Sequence, residues 1–337
     1  MEHNALASPI RIFGTGEYIP SRRVNSTEFD TRWNKATGWT RRHVGIDYRQ
    51  FAEQHETASI MATRAAEDAL ARAGMRADEV DCVISACSVM EQAIPCTAAL
   101  VHRQLGLAGS GIPAFDVNAT CLSFVTALDL IACAITAGRY RKILIVSSEI
   151  PSAGLNWKDQ DTAALFGDGA AAVVVGMCTP EDGSQYIAGH METYSEGLEF
   201  CQVRSCGTRI RIEDGIDAFI AGAYFEMSGK ATYRLAAKHL PGFIERLFRR
   251  ANISIEEIQK FVPHQASAKA LKHLEVALRL PKGSMVHVLA TRGNQMAASI
   301  PIALHHAIMN GEIKRGDLIA LVGSGAGLSF GGAVLRY

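Results

Sequence analysis

The chain has no excess of either charge: 34 Lys and Arg stand against 34 Asp and Glu, a formal net charge of zero. It also has no long run of one sign, so the electrostatic footprint of a general nucleic-acid or membrane-surface binder is missing. No CxxC pair occurs among the cysteines at 82, 87, 96, 121, 133, 178, 201 and 206. With no secretory apolar stretch at the N-terminus either, these read as reduced thiols of a cytoplasmic protein. The most apolar stretch, 122–137, is interrupted by Asp129 and is too short to cross a bilayer, so it reads as a buried helix. Metal and dinucleotide patterns are missing too. Cys201 and Cys206 have no histidine at zinc-finger spacing, and His305 and His306 occupy adjacent helix positions that face different ways. The GTG at 14–16 lacks the remaining glycine of a dinucleotide fingerprint. What is present is 337 residues, 48% of them hydrophobic and 20% charged. That is enough for two domains or one large one, with a site built between two halves.

Short apolar segments bounded by turn residues, at 80–86 (VDCVISA), 112–117 (IPAFDV) and 142–147 (KILIVS), predict strands. A helical pattern at 57–73 is closed by Gly74. The theme returns at 258–263, 268–280, 298–310 and 318–323. Strands alternating with helices of this length predict an α/β architecture. One internal echo stands out: the GDG at 167–169 leads into AAAVVVG, and the GSGAG at 323–327 leads into LSFGGAVLRY. Each is a glycine turn feeding an apolar strand, which predicts two similar halves, 1–176 and 177–337. The polar, glycine-punctuated stretch 179–211 reads as an insertion or linker opening the second half.

Three residues carry candidate chemistry. Cys121 sits where a buried strand ends and the apolar helix begins, and the N-terminus of that helix is placed to stabilise a thiolate, the nucleophilic form. His264 follows the strand-like IQKFVP, at the strand edge where sites form in α/β folds. Asn294 lies in the turn RGNQ that opens a further helix, with Pro301 acceptable in its first turn. A thiolate accepts an acyl group, while an imidazole N–H and an amide N–H hold negative charge developing on a second thioester oxygen. If the carbanion arises by loss of carbon dioxide, no carboxylate base is needed. The glycine-rich turn 323–327 lets backbone N–H groups approach an acyl oxyanion closely.

Five collinear motifs resemble the thiolase-fold condensing enzymes, and among them the 3-oxoacyl-acyl-carrier-protein synthase III family. They are AFDVNATCLSF around Cys121, LFGDGAAAVVV at 165–175, VPHQAS at 262–267, GNQMAASIP at 293–301 and GSGAGLSFGGAVLRY at 323–337. The resemblance implies duplicated α/β halves in five layers (αβαβα) and a homodimer. It implies that Cys121 takes a primer from acyl-coenzyme A, and that His264 and Asn294 decarboxylate malonyl-acyl carrier protein and steady the enolate, in fatty-acid or polyketide biosynthesis. Both thioesters are substrates, and no metal or other cofactor is implied. The backbone N–H groups of Cys121 and Ala326 match the oxyanion hole, with Ala326 standing where the family usually has glycine.

The resemblance further implies substrate contacts at Trp33, Ile94, Lys269 and Gly325. It implies a basic patch for the carrier protein at Arg234, Arg249, Arg250 and Lys272, alongside Lys269. Ile94 replaces a phenylalanine that closes the acyl tunnel across the dimer in acetyl-specific members, so a longer or branched primer is expected. The donor of that primer is coenzyme A or a carrier. Elongating relatives carry a second histidine at the position of Asn294, and thiolases need a cysteine in the C-terminal glycine turn, beyond the last one here at Cys206. Other readings are transfer to an oxygen or nitrogen acceptor, joining of two carrier-bound chains, a non-catalytic partner subunit, and a papain-type protease with the same residue order.

Overall fold

A computed structural model describes residues 7–337, so residues 1–6, where the first expected half begins, lie outside the described residues. Along the chain, β1 (Ile10–Tyr18) is followed by β2 (Arg22–Asn25), α1 (Ser26–Arg32), α2 (Trp39–Val44) and β3 (Tyr48–Phe51), which pairs with β2. Then come α3 (Ala58–Ala73), β4 (Cys82–Ser85), α4 (Thr97–Gln104), β5 (Ala114–Asp116), α5 (Ser123–Thr136), β6 (Lys142–Glu149), α6 (Gln160–Ala163) and β7 (Gly169–Met177). The remainder runs β8 (Gln185–Thr193), β9 (Cys201–Gln202), α7 (Ile216–Ala223), β10 (Glu226–Met227), α8 (Gly229–Ala251), β11 (Lys260–Pro263), α9 (Ala268–Ala277), α10 (Leu289–Arg292), α11 (Ser299–Met309), β12 (Leu318–Gly325) and β13 (Ser329–Arg336).

The two large sheets repeat one plan. Strand order β1-β7-β6-β4-β5 in the first is matched by β8-β13-β12-β11 in the second. In each, the first two contacts are antiparallel and the third is parallel. The echo in the sequence therefore marks β7 and β13, which occupy equivalent places.

Alternation along the strands builds the layers, because successive side chains leave opposite faces of a sheet. Ile143 and Ile145 face the α5 and α11 helices, as do Ile319 and Leu321 of the second sheet. Leu144 and Val146 face the α3 and α4 side, and Ala320 and Val322 face α8 and α9. The result is helix, sheet, helix, sheet, helix. Helix α5 is apolar around most of its circumference because it lies in the central layer, as its sequence predicts.

One feature departs from the sequence reading. Residues 179–211 are no simple linker: they contain β8, the outer strand of the second sheet, with Tyr186, Ile187 and Ala188 buried. Its polar tail conceals it. Strand β1 carries Gly14 and Gly16 because α3 rests directly on it. A Cβ on Gly14 would lie 2.3 Å from the Ala69 carbonyl oxygen, and one on Gly16 would lie 2.3 Å from that of Ala65.

Candidate active site

Cys121 closes a tight turn ahead of α5. Thr120 adopts φ +53°, and its N–H donates to Asn118 Oδ1 (2.9 Å). Ser123 Oγ accepts the Ala119 N–H (3.0 Å) and donates to the Thr120 carbonyl (2.6 Å), which locks the turn. Gly325 of β12 presses against this turn: a Cβ there would meet Thr120 Oγ1 at 2.6 Å. Thr120 Oγ1 donates in turn to the Ala326 carbonyl (3.4 Å).

His264 ends β11, its N–H donating to the Val322 carbonyl (2.8 Å). The next residue, Gln265, holds that strand end with all its amide capacity. Nε2 donates to the Pro263 and Val286 carbonyls, and Oε1 accepts the Val288 and Leu289 N–H groups. Gly323 lies between the histidine and the cysteine turn: a Cβ there would sit 3.0 Å from His264 Cβ and 3.1 Å from Leu122 Cδ2.

Asn294 is fixed by its backbone, with its N–H on the Leu165 carbonyl (2.8 Å) and its carbonyl accepting the Gly167 N–H (3.1 Å). Its Oδ1 accepts the Met296 N–H (2.9 Å), and its Nδ2 donates to the Ala266 carbonyl (3.2 Å), two residues from His264. One amide hydrogen remains for another acceptor. Cys121 and His264, 143 positions apart in the chain, thus flank β12 and its glycines, and Asn294, 30 positions further on, is tied to the histidine segment through the Ala266 carbonyl. His264 and Asn294 are buried, while Cys121, Ala266, Met296 and Ala326 stay partly open to solvent.

The electrostatics differ from the sequence expectation at the thiol. Burial pushes Cys121 up to about 12, the negative charges of Glu149 and Cys201 add to this, and the backbone N–H groups of Cys121 and Ala326 draw it down. The resting form near neutral pH is therefore the thiol, because desolvation outweighs the helix end. Those same two N–H groups face the sulfur. Ala326 is outside the set of positive-φ residues, so its Cβ meets no left-handed backbone, and Gly327 takes φ +142° instead. Burial lowers His264 to about 4, and among the described residues its Nδ1 has no partner. A neutral imidazole remains, with one N–H to donate.

The other expected contacts are scattered. Trp33 is half-buried, and its Nε1 donates to the Trp157 carbonyl (3.0 Å). Ile94 is 86% exposed. Lys269 is exposed on the first turn of α9, and Arg234 and Arg250 are exposed on α8. Arg249 pairs with Glu245 (3.6 Å), and Lys272 with Glu275 (3.4 Å). Such exposed pairs contribute little. Among the described residues no cluster of His, Cys, Asp or Glu is placed to hold a metal, and no helix is long and apolar enough to cross a membrane.

Sequence reasoning missed the groups that frame the site. Gln265 holds the histidine strand, and Gln295 Nε2 donates to the Asp168 carbonyl (2.8 Å). The Asp168 carboxylate accepts the Ala52 N–H (2.7 Å) and the Ser152 hydroxyl (2.5 Å). Their only local signal is a polar side chain directly after a candidate site residue, or within the GDG turn.

The fold is that of the thiolase-like condensing enzymes. Residues 115–195 match the family described as 3-oxoacyl-(acyl-carrier-protein) synthase III, and residues 248–337 match its C-terminal part. The chain is 34% identical to beta-ketoacyl-(acyl-carrier-protein) synthase III of Aquifex aeolicus strain VF5, over 97% of this chain and 99% of that protein. The crystal structure of 3-oxoacyl-(acyl-carrier-protein) synthase III from Aquifex aeolicus VF5 superposes with a TM-score of 0.88 at 34% identity, covering 97% of this chain and all of that one (100%). The Pseudomonas aeruginosa PAO1 enzyme does so with a TM-score of 0.87 at 30% identity, covering 98% of each chain. The chain belongs to the 3-oxoacyl-(acyl-carrier-protein) synthase III family. It is an acyl-transferring condensing enzyme of fatty-acid biosynthesis, and these relatives do not favour transfer to an oxygen or nitrogen acceptor.

Proposed function

We propose that Cys121 takes an acyl primer from a coenzyme A thioester and that His264 and Asn294 activate malonyl-acyl carrier protein. In loading, the sulfur attacks the primer carbonyl, coenzyme A leaves as its thiolate, and the cysteine proton passes to it. The Cys121 and Ala326 N–H groups hold the oxyanion of that step. In condensation, the His264 N–H and the free Asn294 amide hydrogen hold the malonyl thioester oxygen while carbon dioxide departs. The enolate then attacks the acyl-cysteine, and the Cys121 thiolate is released and reprotonated. The observation that carries this reading is the meeting of the cysteine turn, the Ala326 N–H and His264 along β12, with Asn294 tied to the histidine segment through Ala266.

The same reading divides the chain into halves 1–176, with the cysteine, and 177–337, with the histidine and asparagine. The repeated strand order supports it. Arg234, Arg249, Arg250, Lys269 and Lys272 on α8 and α9 would meet an acidic carrier, and Trp33 and Gly325 would line the approach of the thioester. The protein would work in the cytoplasm as a homodimer. Ile94 stands in solvent in one chain, so a role in closing an acyl tunnel requires a second copy to receive it.

Mass spectrometry of the intact protein after incubation with a panel of acyl-coenzyme A and acyl-carrier species tests the central step. One class adds an acyl mass to the wild type, and none adds to Cys121→Ser. Equal labelling of both rejects Cys121 as the acceptor.

A further inference from the structure

Glu149 closes β6 and is 1% exposed. Its Oε1 accepts the Ser88 N–H, and among the described residues its Oε2 has no hydrogen-bond partner. Val89 and Ala297 turn backbone N–H groups toward the same carboxyl. Ser88 and Val89 begin the segment that leads to Ile94, while Ala297 belongs to the turn that follows Asn294. One carboxyl therefore sits where these two segments meet, and the first of them also holds the cysteine turn: the Ser88 carbonyl accepts from Asn118 Nδ2 (3.0 Å) and the Cys87 carbonyl accepts from the Ser123 hydroxyl (3.1 Å). From that place its charge bears on the thiols of Cys87 and Cys121. Neither acyl transfer nor decarboxylation, as derived above, uses it.

We propose that Glu149 is a positioning residue for Cys121: its carboxyl sets the charge that the reacting thiol faces and thereby how readily that thiol becomes the nucleophile. The inference rests on Cys121 being the acyl acceptor. Burial raises Glu149 to about 8, and the Ser88, Val89 and Ala297 N–H groups pull the other way. Below that pH the carboxyl is neutral and leaves Cys121 alone. Above it, a full negative charge in a water-poor site opposes the thiolate. The other titratable groups at this strand end are Cys87, after β4, and Asp116, which ends β5 and acts on Cys87. Cys87 is itself held up at about 12 by burial and by Glu149, so it stays a neutral thiol. Asp168, beside the Gly169 that pairs with Glu149, turns its carboxylate away, to Ala52 and Ser152.

The test is the pH dependence of Cys121 alkylation by iodoacetamide in the full chain, read by mass and mapped to the Cys121 peptide. Below the thiol's own midpoint the rate follows the thiolate fraction, tenfold per pH unit. In the wild type the logarithmic plot bends to a shallower slope between pH 7 and 9, as Glu149 ionises. In Glu149→Gln it stays straight. The variant then equals the wild type at pH 6 and reacts at least threefold faster at pH 9.5, while Glu149→Asp keeps the bend. A rate ratio that is the same at both pH values overturns the proposal, and so does a wild-type plot without a bend, which needs no variant to fold. A bend in a protein that takes no acyl group would instead sink the acyl-acceptor reading and leave the electrostatic coupling standing.

Discussion

His264 is neutral because among the described residues nothing repays the cost of burying an imidazolium, and its value falls to about 4. That fits a hydrogen-bond donor to a thioester oxygen better than a proton carrier working around neutrality. His264→Ala and Asn294→Ala should still load an acyl group on Cys121 but lose malonyl decarboxylation by about a hundredfold or more, the scale of one lost oxyanion donor. Carbon dioxide release and intact mass, measured side by side, separate the two steps. Full condensation by either variant would refute its assigned role. In the wild type, His264 should not switch off decarboxylation between pH 8 and 5.5, because its imidazole stays neutral throughout. The same burial sets a sign for stability: the unfolded chain binds this proton below its ordinary 6.5 and the folded one only near 4, so stability drains as pH falls through that window. Residue types and their junctions were legible in the sequence. The thiol's raised value was not, since desolvation and Glu149 act through residues distant in the chain.

Between elements, backbone against backbone leaves no slack. Helix α3 settles onto β1 only because positions 14 and 16 lack a Cβ, and the atoms in the way at Gly14 are the Ala69 carbonyl oxygen and the Ala73 nitrogen. A helix backbone does not rotate aside as a side chain does. Gly14→Ala should cost about 1–3 kcal/mol, the scale of overpacking, seen as a lower urea midpoint with unchanged slope. An unaltered midpoint would show that α3 can ride outward freely. On the other flank, Glu192 of β8 holds Arg246 of α8 and is lowered to about 2 chiefly by that bond, which also fixes the strand that the sequence hid. β8 was illegible because its outer end is polar, whereas β6 and β12, buried on both faces, announced themselves as apolar runs.

For the whole molecule, the edge of the first sheet raises the question of a partner. Among the described residues β5 pairs on one side only, with β4, and Phe115 on it is exposed together with Val89, Met90 and Ile94 in the segment beside it. An open strand edge rimmed by apolar side chains is an association surface. Sedimentation should therefore find a dimer in the wild type and a shift toward monomer in Phe115→Glu. A wild-type monomer at micromolar concentration would remove the homodimer from the proposed function.

The sequence by itself determined the α/β alternation, the duplicated plan and the residue types of the site, because apolar periodicity and glycine turns act over a few neighbouring residues. Only the tertiary structure decided that Cys121 rests as a thiol, that Trp33 is anchored on Trp157, and that Glu149 lies where two segments of the site meet. Those outcomes depend on burial and on contacts between positions far apart in the chain, and no local pattern encodes either.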